Sequence, residues 1–410
     1  MGHRRRVLQF QKRHDARPRG NQTPLRRCLK PEHSMKSIAV YLTGACNLRC
    51  KHCSVGLDQY RPRETLDDAQ IMHVIEKAAD RGVEYVTLLG GEPTYTRHDL
   101  AAFTRRASEV GVKLSINTNL FFPEKLLPLI DDPGLGNIVV SLDGAGPETH
   151  DAMRGKGSFA RTIRNLELII AARDRIRPEL TIDLTFVLTA LNQTDAIRIV
   201  DLAIAHRIDK LNINLINPVG RGNTFSKKLR GGDDYLAAIS KMVLYFQLLR
   251  PPITLSIPLP PAVAEYLEME YGVPVDAFIN DAACGGTEVY TYVDLRGNLL
   301  PCPGLSYEEG RNDTMNHRHE NLSILDRSIA DIETTSVFRA FNKAQQSRSK
   351  NAVFEPCNVC KHRAVCSPCT ASYYKKDSAN VIDMCKRIYE KLPDDPRIST
   401  IFHMSESAEV

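Results

Sequence analysis

The 410-residue sequence has no apolar run approaching the roughly 20 residues a helix needs to span a bilayer. Its start lacks the apolar segment of a secretion signal and is polar and arginine-rich instead. Membrane-embedded and secreted, disulfide-stapled classes are therefore set aside, and a reducing, cytoplasmic setting is expected. The body of the chain also lacks an excess of positive charge. The formal net charge is +5, but residues 1–36 hold 11 Lys and Arg against 2 Asp and Glu, leaving 43 against 47 for the remainder. That mildly acidic remainder gives no reason to expect nucleic-acid binding. The basic leader, residues 1–36, reads as a solvated, disordered tail.

What the chain does have is cysteine in two groups. Cys28 stands alone in the leader; the other cysteines of the total of 11 fall within 46–53 and 284–385. Clustered cysteines in a reducing compartment are more often metal ligands than disulfides. Length and an ordinary composition, 42% hydrophobic and 25% charged, suit one large α/β domain and a smaller one.

From residue 37 strand and helix patterns alternate. Strands are expected at Ser37–Leu42, Val83–Leu89, Lys113–Asn117, Asn137–Leu142, Leu180–Leu188 and Lys210–Ile216. After the first, Thr65 reads as a helix N-cap with Asp68 three positions on, and Ile71, Val74, Ile75 and Ala78 follow at helical spacing up to Gly82. Six β–α units in succession imply a parallel sheet, open or curled into a full or partial barrel, with ligands at the carboxyl ends of the strands. Residues 37–250 form this core in the sequence reading. Pro251, Pro252, Pro258, Pro260 and Pro261 mark 251–280 as a linker, 281–400 is a small cysteine-rich domain, and 401–410 is a tail.

Cys46, Cys50 and Cys53 are spaced C-x3-C-x2-C directly after the first strand. Three thiolates on a four-iron cubane leave one iron open to an exogenous ligand. From spacing alone a zinc knuckle or an ordinary electron-transfer cluster also fits. The motif in this position, with His52 before the last cysteine, resembles the signature of the radical S-adenosylmethionine (radical SAM) superfamily. The resemblance implies an α/β fold of the partial (β/α)6 barrel type. It also implies a [4Fe-4S] cluster on Cys46, Cys50 and Cys53 that cleaves S-adenosylmethionine to a 5′-deoxyadenosyl radical. Further motifs fall where the resemblance places cofactor contacts: Gly90, Gly91, Glu92 and Pro93 after strand two, Asn117 and Asn119 at the end of strand three, Ser141 and Asp143 at the end of strand four, and Arg154 beyond it. Read without it, Gly90–Pro93 is a turn and Arg154 a surface arginine.

Seven cysteines make the second group: Cys284, Cys302, Cys357, Cys360, Cys366, Cys369 and Cys385. Seven are too many for one four-coordinate metal and nearly enough for two sites. Gly297 before Cys302 and the run C-x2-C-x5-C-x2-C over 357–369 resemble the SPASM extension of peptide-modifying radical SAM enzymes. One departure stands out: two residues separate Cys366 from Cys369 where that pattern has three. The resemblance implies two auxiliary clusters. Cys357, Cys360, Cys366 and Cys385 would hold one, and Cys284, Cys302 and Cys369 the other, as electron acceptors or as a structural cap. It further implies a peptide or protein substrate whose side chain is crosslinked or oxidised and an external donor of flavodoxin or ferredoxin type. Since only 36 residues precede strand one, it leaves room for a standalone leader-peptide recognition protein. A small-molecule dehydrogenase or epimerase acting on a sugar or aminocyclitol is the alternative, and a non-catalytic iron–sulfur carrier is the alternative from another class.

Overall fold

The computed structural model describes residues 35–55, 65–216, 221, 234–272, 279–281, 286–287, 289–303, 320–350, 355–364, 366 and 380–402. The six expected strands are present: β1 (Ser37–Thr43), β2 (Tyr85–Gly90), β3 (Lys113–Thr118), β4 (Leu135–Ser141), β5 (Thr181–Leu188) and β6 (Lys210–Leu215). They pair in sequence order, each parallel to the next. The helices between them are α1 (Asp68–Asp80), α2 (Leu100–Val110), α3 (Pro147–Arg154), α4 (Ser158–Ile176) and α5 (Arg198–Ala205). Helix α1 shows why this order forms. Ile71, Val74, Ile75 and Ala78 are its buried stripe, spaced for one face of a helix. Its cap corrects the sequence reading. Asp67, not Thr65, is the N-cap, and Asp67 and Gln70 exchange side chain-to-backbone bonds in a capping box. Thr65 instead donates its hydroxyl to the Leu42 carbonyl at 2.6 Å.

The expected linker at 251–280 is also corrected. After α6 (Asp234–Leu249) the chain forms β7 (Thr254–Leu259), which pairs parallel to β6, then α7 (Pro261–Tyr271) and β8 (Ile279–Asp281) beside β7. The prolines fit because of where they fall. Pro258 lies past Ser256, the last β7 residue paired with β6, so its missing N–H leaves no bond of that ladder unmade. Pro261 is the first residue of α7 and Pro260 its cap, where the amide would be unbonded in any case.

The boundary at 281 is likewise not a boundary of the sheet. Strand β9 (Tyr290–Val293) runs parallel along the free side of β1, and β10 (Leu299–Leu300) turns back antiparallel to β9. Gly297, at φ +82°, makes the turn between them. Met35, expected in the tail, is buried and accepts a bond from the Thr291 hydroxyl. The described residues form one ten-stranded sheet in the order β10-β9-β1-β2-β3-β4-β5-β6-β7-β8, a partial barrel open among them between β8 and β10. Beyond it lie α8 (Ile329–Glu333), α9 (Ser336–Lys350) and α10 (Asn380–Tyr389). The rest of the leader, residues 1–34, and the tail 403–410 fall outside the described residues.

One face of the sheet carries the core. Along β5 the residues alternate, with Ile182, Leu184, Phe186 and Leu188 buried and Thr181, Asp183, Thr185 and Val187 only partly so. The buried set packs with the helix stripes into one hydrophobic cluster. The other face is more polar than a parallel sheet usually allows. Ser141, Thr185, Asn212 and Ser256 are register partners across β4, β5, β6 and β7 and so form one polar row. Among the described residues no helix is long and apolar enough to cross a membrane.

Candidate active site

The predicted cysteine, Gly90–Pro93, Asn117–Asn119 and Ser141–Asp143 motifs lie at the carboxyl ends of the barrel strands, while Arg154 ends α3. The loop after β1 carries Cys46, Cys50 and Cys53, with Cys50 buried and the others partly exposed. The next strand end presses directly against this loop. Gly91 donates its N–H to the Thr43 carbonyl at 2.6 Å and Glu92 its N–H to the Ala45 carbonyl at 2.8 Å. A β-carbon on Gly91 would lie 2.0 Å from the Ala45 oxygen, and one on Gly90 would lie 2.6 Å from that of Thr43. Glycine is required here by the approach of two backbones.

The Glu92 carboxylate is fully buried and ties the end of β2 to that of β3. One oxygen accepts from the Thr94 amide (3.0 Å), the Thr94 hydroxyl (2.6 Å) and the Thr118 hydroxyl (2.6 Å); the other accepts from the Asn119 amide at 2.7 Å. Asn119 in turn donates its side-chain amide to Asn47 Oδ1 at 2.9 Å, within the cysteine loop. Pro93 is buried beside Glu92, and Ser141 donates to Asn117 Oδ1 at 3.2 Å, joining the ends of β4 and β3.

Asp143, expected to contact the cofactor, is instead wholly inside the protein with both oxygens engaged. Oδ2 accepts from Arg154 Nε at 2.5 Å and faces His52 Nε2 at 3.1 Å; Oδ1 accepts from the Val187 amide at 2.8 Å. Arg154 is therefore no surface residue. It is buried, and its Nη1 points at Cys50 Sγ, 3.9 Å away. The Lys51 amide donates to the Met153 carbonyl at 3.0 Å, fastening the loop to the end of α3. His150 completes the layer, accepting the Asp143 backbone N–H on Nδ1 at 3.1 Å, so that its proton sits on Nε2.

Burial sets the electrostatics. It pushes the Cys46 thiol up to about 12, helped by the charges of Cys50, Glu92 and Cys53 and opposed by the Leu48 amide. Burial also raises Cys50, with Arg154 opposing. Burial holds His52 down at about 4 against the pull of Asp143, so the imidazole is neutral at pH 7. For Asp143 burial works upward, but Arg154, His52 and the Val187 amide together keep the carboxyl below its ordinary value. Thiols raised in this way become thiolates only against added positive charge, which a metal centre provides.

The residues fit a polynuclear cluster. The three thiols share one loop and lie within electrostatic reach of one another, and Arg154 balances negative charge at Cys50. Among the described residues no three His, Cys, Asp or Glu side chains converge tightly enough to hold a single ion. A cubane, whose thiolates sit on separate irons, needs no such convergence. Two buried polar atoms beside the cysteines, Asn47 Nδ2 and His52 Nδ1, lack a hydrogen-bond partner among the described residues and leave donor and acceptor capacity for a polar cofactor.

Residues 40–203 match the Radical SAM superfamily model. The chain carries a radical SAM domain. It is accordingly an enzyme whose cofactors are a [4Fe-4S] cluster and S-adenosylmethionine, not a passive iron–sulfur carrier. Among its relatives is an "AdoMet-dependent heme synthase" of Methanosarcina barkeri, 25% identical over 82% of this chain and 91% of that protein. Another is mycofactocin maturase MftC of Mycolicibacterium smegmatis, 41% identical, spanning 31% of this chain and 32% of MftC. Among solved structures, Streptococcus suis SuiB bound to S-adenosylmethionine superposes with a TM-score of 0.62 at 18% identity, covering 85% of this chain and 76% of SuiB. SuiB bound to its precursor peptide SuiA gives the same TM-score. At that identity SuiB shares the fold.

A residue the sequence reading missed joins the site of this radical SAM enzyme. Arg221, beyond β6, is close enough to lower both Cys50 and His52 electrostatically. Its signal was positional, since it follows a strand end as the other site residues do.

The second cysteine group is partly assembled. Cys357 and Cys360 precede a short 3-10 turn (Lys361–Ala364), Cys366 follows it, and Cys385 lies on α10. Cys385 is buried within electrostatic reach of Cys366, Cys357 and Cys360. Burial raises Cys357 to about 11. Cys302 is buried just after β10, while Cys284 and Cys369 lie outside the described residues.

Proposed function

We propose that this radical SAM enzyme modifies a peptide or protein side chain, aided by an auxiliary cluster of SPASM type on Cys357, Cys360, Cys366 and Cys385. The placing of Cys357, Cys360 and Cys366 within electrostatic reach of buried Cys385 carries the reading: they come from a loop and a helix about 20 residues apart, and four thiols are the donor set of a closed iron–sulfur cluster. The maturase name of MftC supports a peptide substrate. Cys284, Cys302 and Cys369 are left for a further cluster, and a flavodoxin or ferredoxin type donor with a separate leader-recognition protein completes the proposal.

When bound, the cluster and S-adenosylmethionine supply a 5′-deoxyadenosyl radical that removes a hydrogen atom from the substrate. The chain's own residues give that chemistry its setting. Gly91, Glu92 and Lys51 fix the cysteine loop through backbone bonds, Arg154 balances its charge, and neutral His52 adds none. Asn117 and Ser141 line the cofactor side of the polar sheet face. Thr185, Asn212 and Ser256 extend that row away from it, and Asn214 is exposed one step beyond on the same face. Such a floor suits the amides and hydroxyls of a peptide.

The test is anaerobic incubation of the reconstituted chain with S-adenosylmethionine, dithionite and each short peptide that sequencing of its gene neighbourhood reveals. A mass change in the peptide that is lost in Cys50→Ala supports the reading. Formation of 5′-deoxyadenosine with every such peptide unaltered refutes it. The length of the heme synthase match favours a second reading, a small-molecule substrate, and that outcome would select it.

A further inference from the structure

Helix α7, in the segment expected to be a linker, reaches the second cysteine group. Its Glu265 accepts from two consecutive residues of the turn that separates Cys360 from Cys366. Lys361 Nζ meets Oε1 at 2.5 Å, and His362 Nε2 meets Oε2 at 2.6 Å. The same turn is tied to its cysteines through the backbone. The Cys366 amide donates to the His362 carbonyl at 2.8 Å and the Arg363 amide to the Cys360 carbonyl at 3.2 Å. On its far side the Lys361 amide donates to the Ile401 carbonyl at 3.0 Å, and Cys360 bridges Phe402. A force on Lys361 and His362 is therefore passed directly to Cys360 and Cys366. Glu265 is the only carboxylate seen holding this turn among the described residues, and its charge reaches Cys360.

We propose that Glu265 is the positioning residue of the auxiliary cluster: by clamping Lys361 and His362 it holds the Cys357–Cys366 loop in ligating form, and its negative charge lowers the cluster's reduction potential. The proposal rests on the auxiliary-cluster reading above. It follows from geometry and from charge. A bidentate acceptor fixes two successive donors, which removes rotational freedom from the turn between two ligands. A nearby negative charge disfavours adding an electron to a cluster. Glu265, Lys361 and His362 are all partly exposed, so the pair adds little to the stability of the whole chain, and its loss is a local event.

The experiment uses the full chain reconstituted anaerobically, with iron analysis, an electron paramagnetic resonance redox titration and 5′-deoxyadenosine formation as readouts. Glu265→Ala is expected to lose about four iron atoms per chain, the content of one cubane, together with the auxiliary signal, while 5′-deoxyadenosine formation persists. Glu265→Asp is expected to regain part of the iron. Glu265→Gln keeps the volume and most of the hydrogen bonding but not the charge, so its iron should remain and its auxiliary potential should move in the positive direction. It carries the test if the alanine variant does not fold. Native iron in Glu265→Ala together with an unmoved potential in Glu265→Gln overturns the proposal. A native chain holding only one cubane's iron overturns the auxiliary-cluster reading itself, and Glu265's role with it.

Discussion

Replacing Asp143 by asparagine should destabilise the iron-free chain by about 3–5 kcal/mol, the usual cost of stripping one partner from a buried ion pair. The magnitude comes from what the substitution leaves behind. Asp143 is completely buried and Arg154 nearly so, and their bond of 2.5 Å is the strongest compensation the guanidinium has. Its other contact among the described residues is a thiol sulfur at 3.9 Å. An asparagine of the same shape cannot serve all the donors that Asp143 serves. Its single carbonyl oxygen can face Arg154 and His52 or the Val187 amide, and its NH2 then opposes whichever donor remains. Urea unfolding of apo-protein, followed by circular dichroism at two salt concentrations, measures the loss. Because the pair is buried, raising salt should change the difference little. The double variant Asp143→Asn with Arg154→Met removes the stranded charge and should recover a large part of the loss, giving a coupling of about 2–3 kcal/mol. A single-variant cost below about 1 kcal/mol, or a double variant no more stable than the single, would refute the ion-pair account.

Two further perturbations separate geometry from charge. Gly91→Ala places a β-carbon 2.0 Å from the Ala45 carbonyl and must push the cysteine loop off the end of β2. The expected outcome is loss of about one cubane's iron and of 5′-deoxyadenosine formation, with the fold kept, as judged by iron analysis and circular dichroism; full iron loading would contradict it. Asp183→Asn tests the polar sheet face. Burial, opposed by Lys210, pushes the Asp183 carboxyl up to about 6. A carboxyl raised above its unfolded value costs stability as pH rises from about 4 through 6, roughly 2 units or about 3 kcal/mol in full. The asparagine variant should therefore match the native chain near pH 4 and exceed it at pH 7.5. A stability gap that does not widen with pH, measured as urea midpoints, defeats that assignment.

How much of this could be read from the sequence depends on how far apart the determining residues lie. The cysteine spacing and the β–α alternation are local, so the barrel strands, the stripe of α1 and the position of Cys46, Cys50 and Cys53 were legible. The prolines of 251–261 misled because composition does not say which backbone amides a sheet needs. The β6 ladder ends at Ser256, before Pro258, and the first turn of α7 needs no amide from Pro261. The site showed the same division. Asp143, Arg154 and His52 were each identified as functional from their motifs, yet their mutual ion pair and hydrogen bonds join three elements and leave no trace in spacing. That pairing changes what the residues can do. A carboxylate whose oxygens are taken by Arg154, His52 and Val187 works through the residues it holds, and the same holds for Glu92 between Thr94, Thr118 and Asn119. Polar atoms with capacity to spare are the ones to assign to ligands, and here they are Asn47 Nδ2 and His52 Nδ1 beside the cysteines. The barrel thus uses its most buried charges to make a rigid frame and leaves the chemistry to groups the frame holds in place.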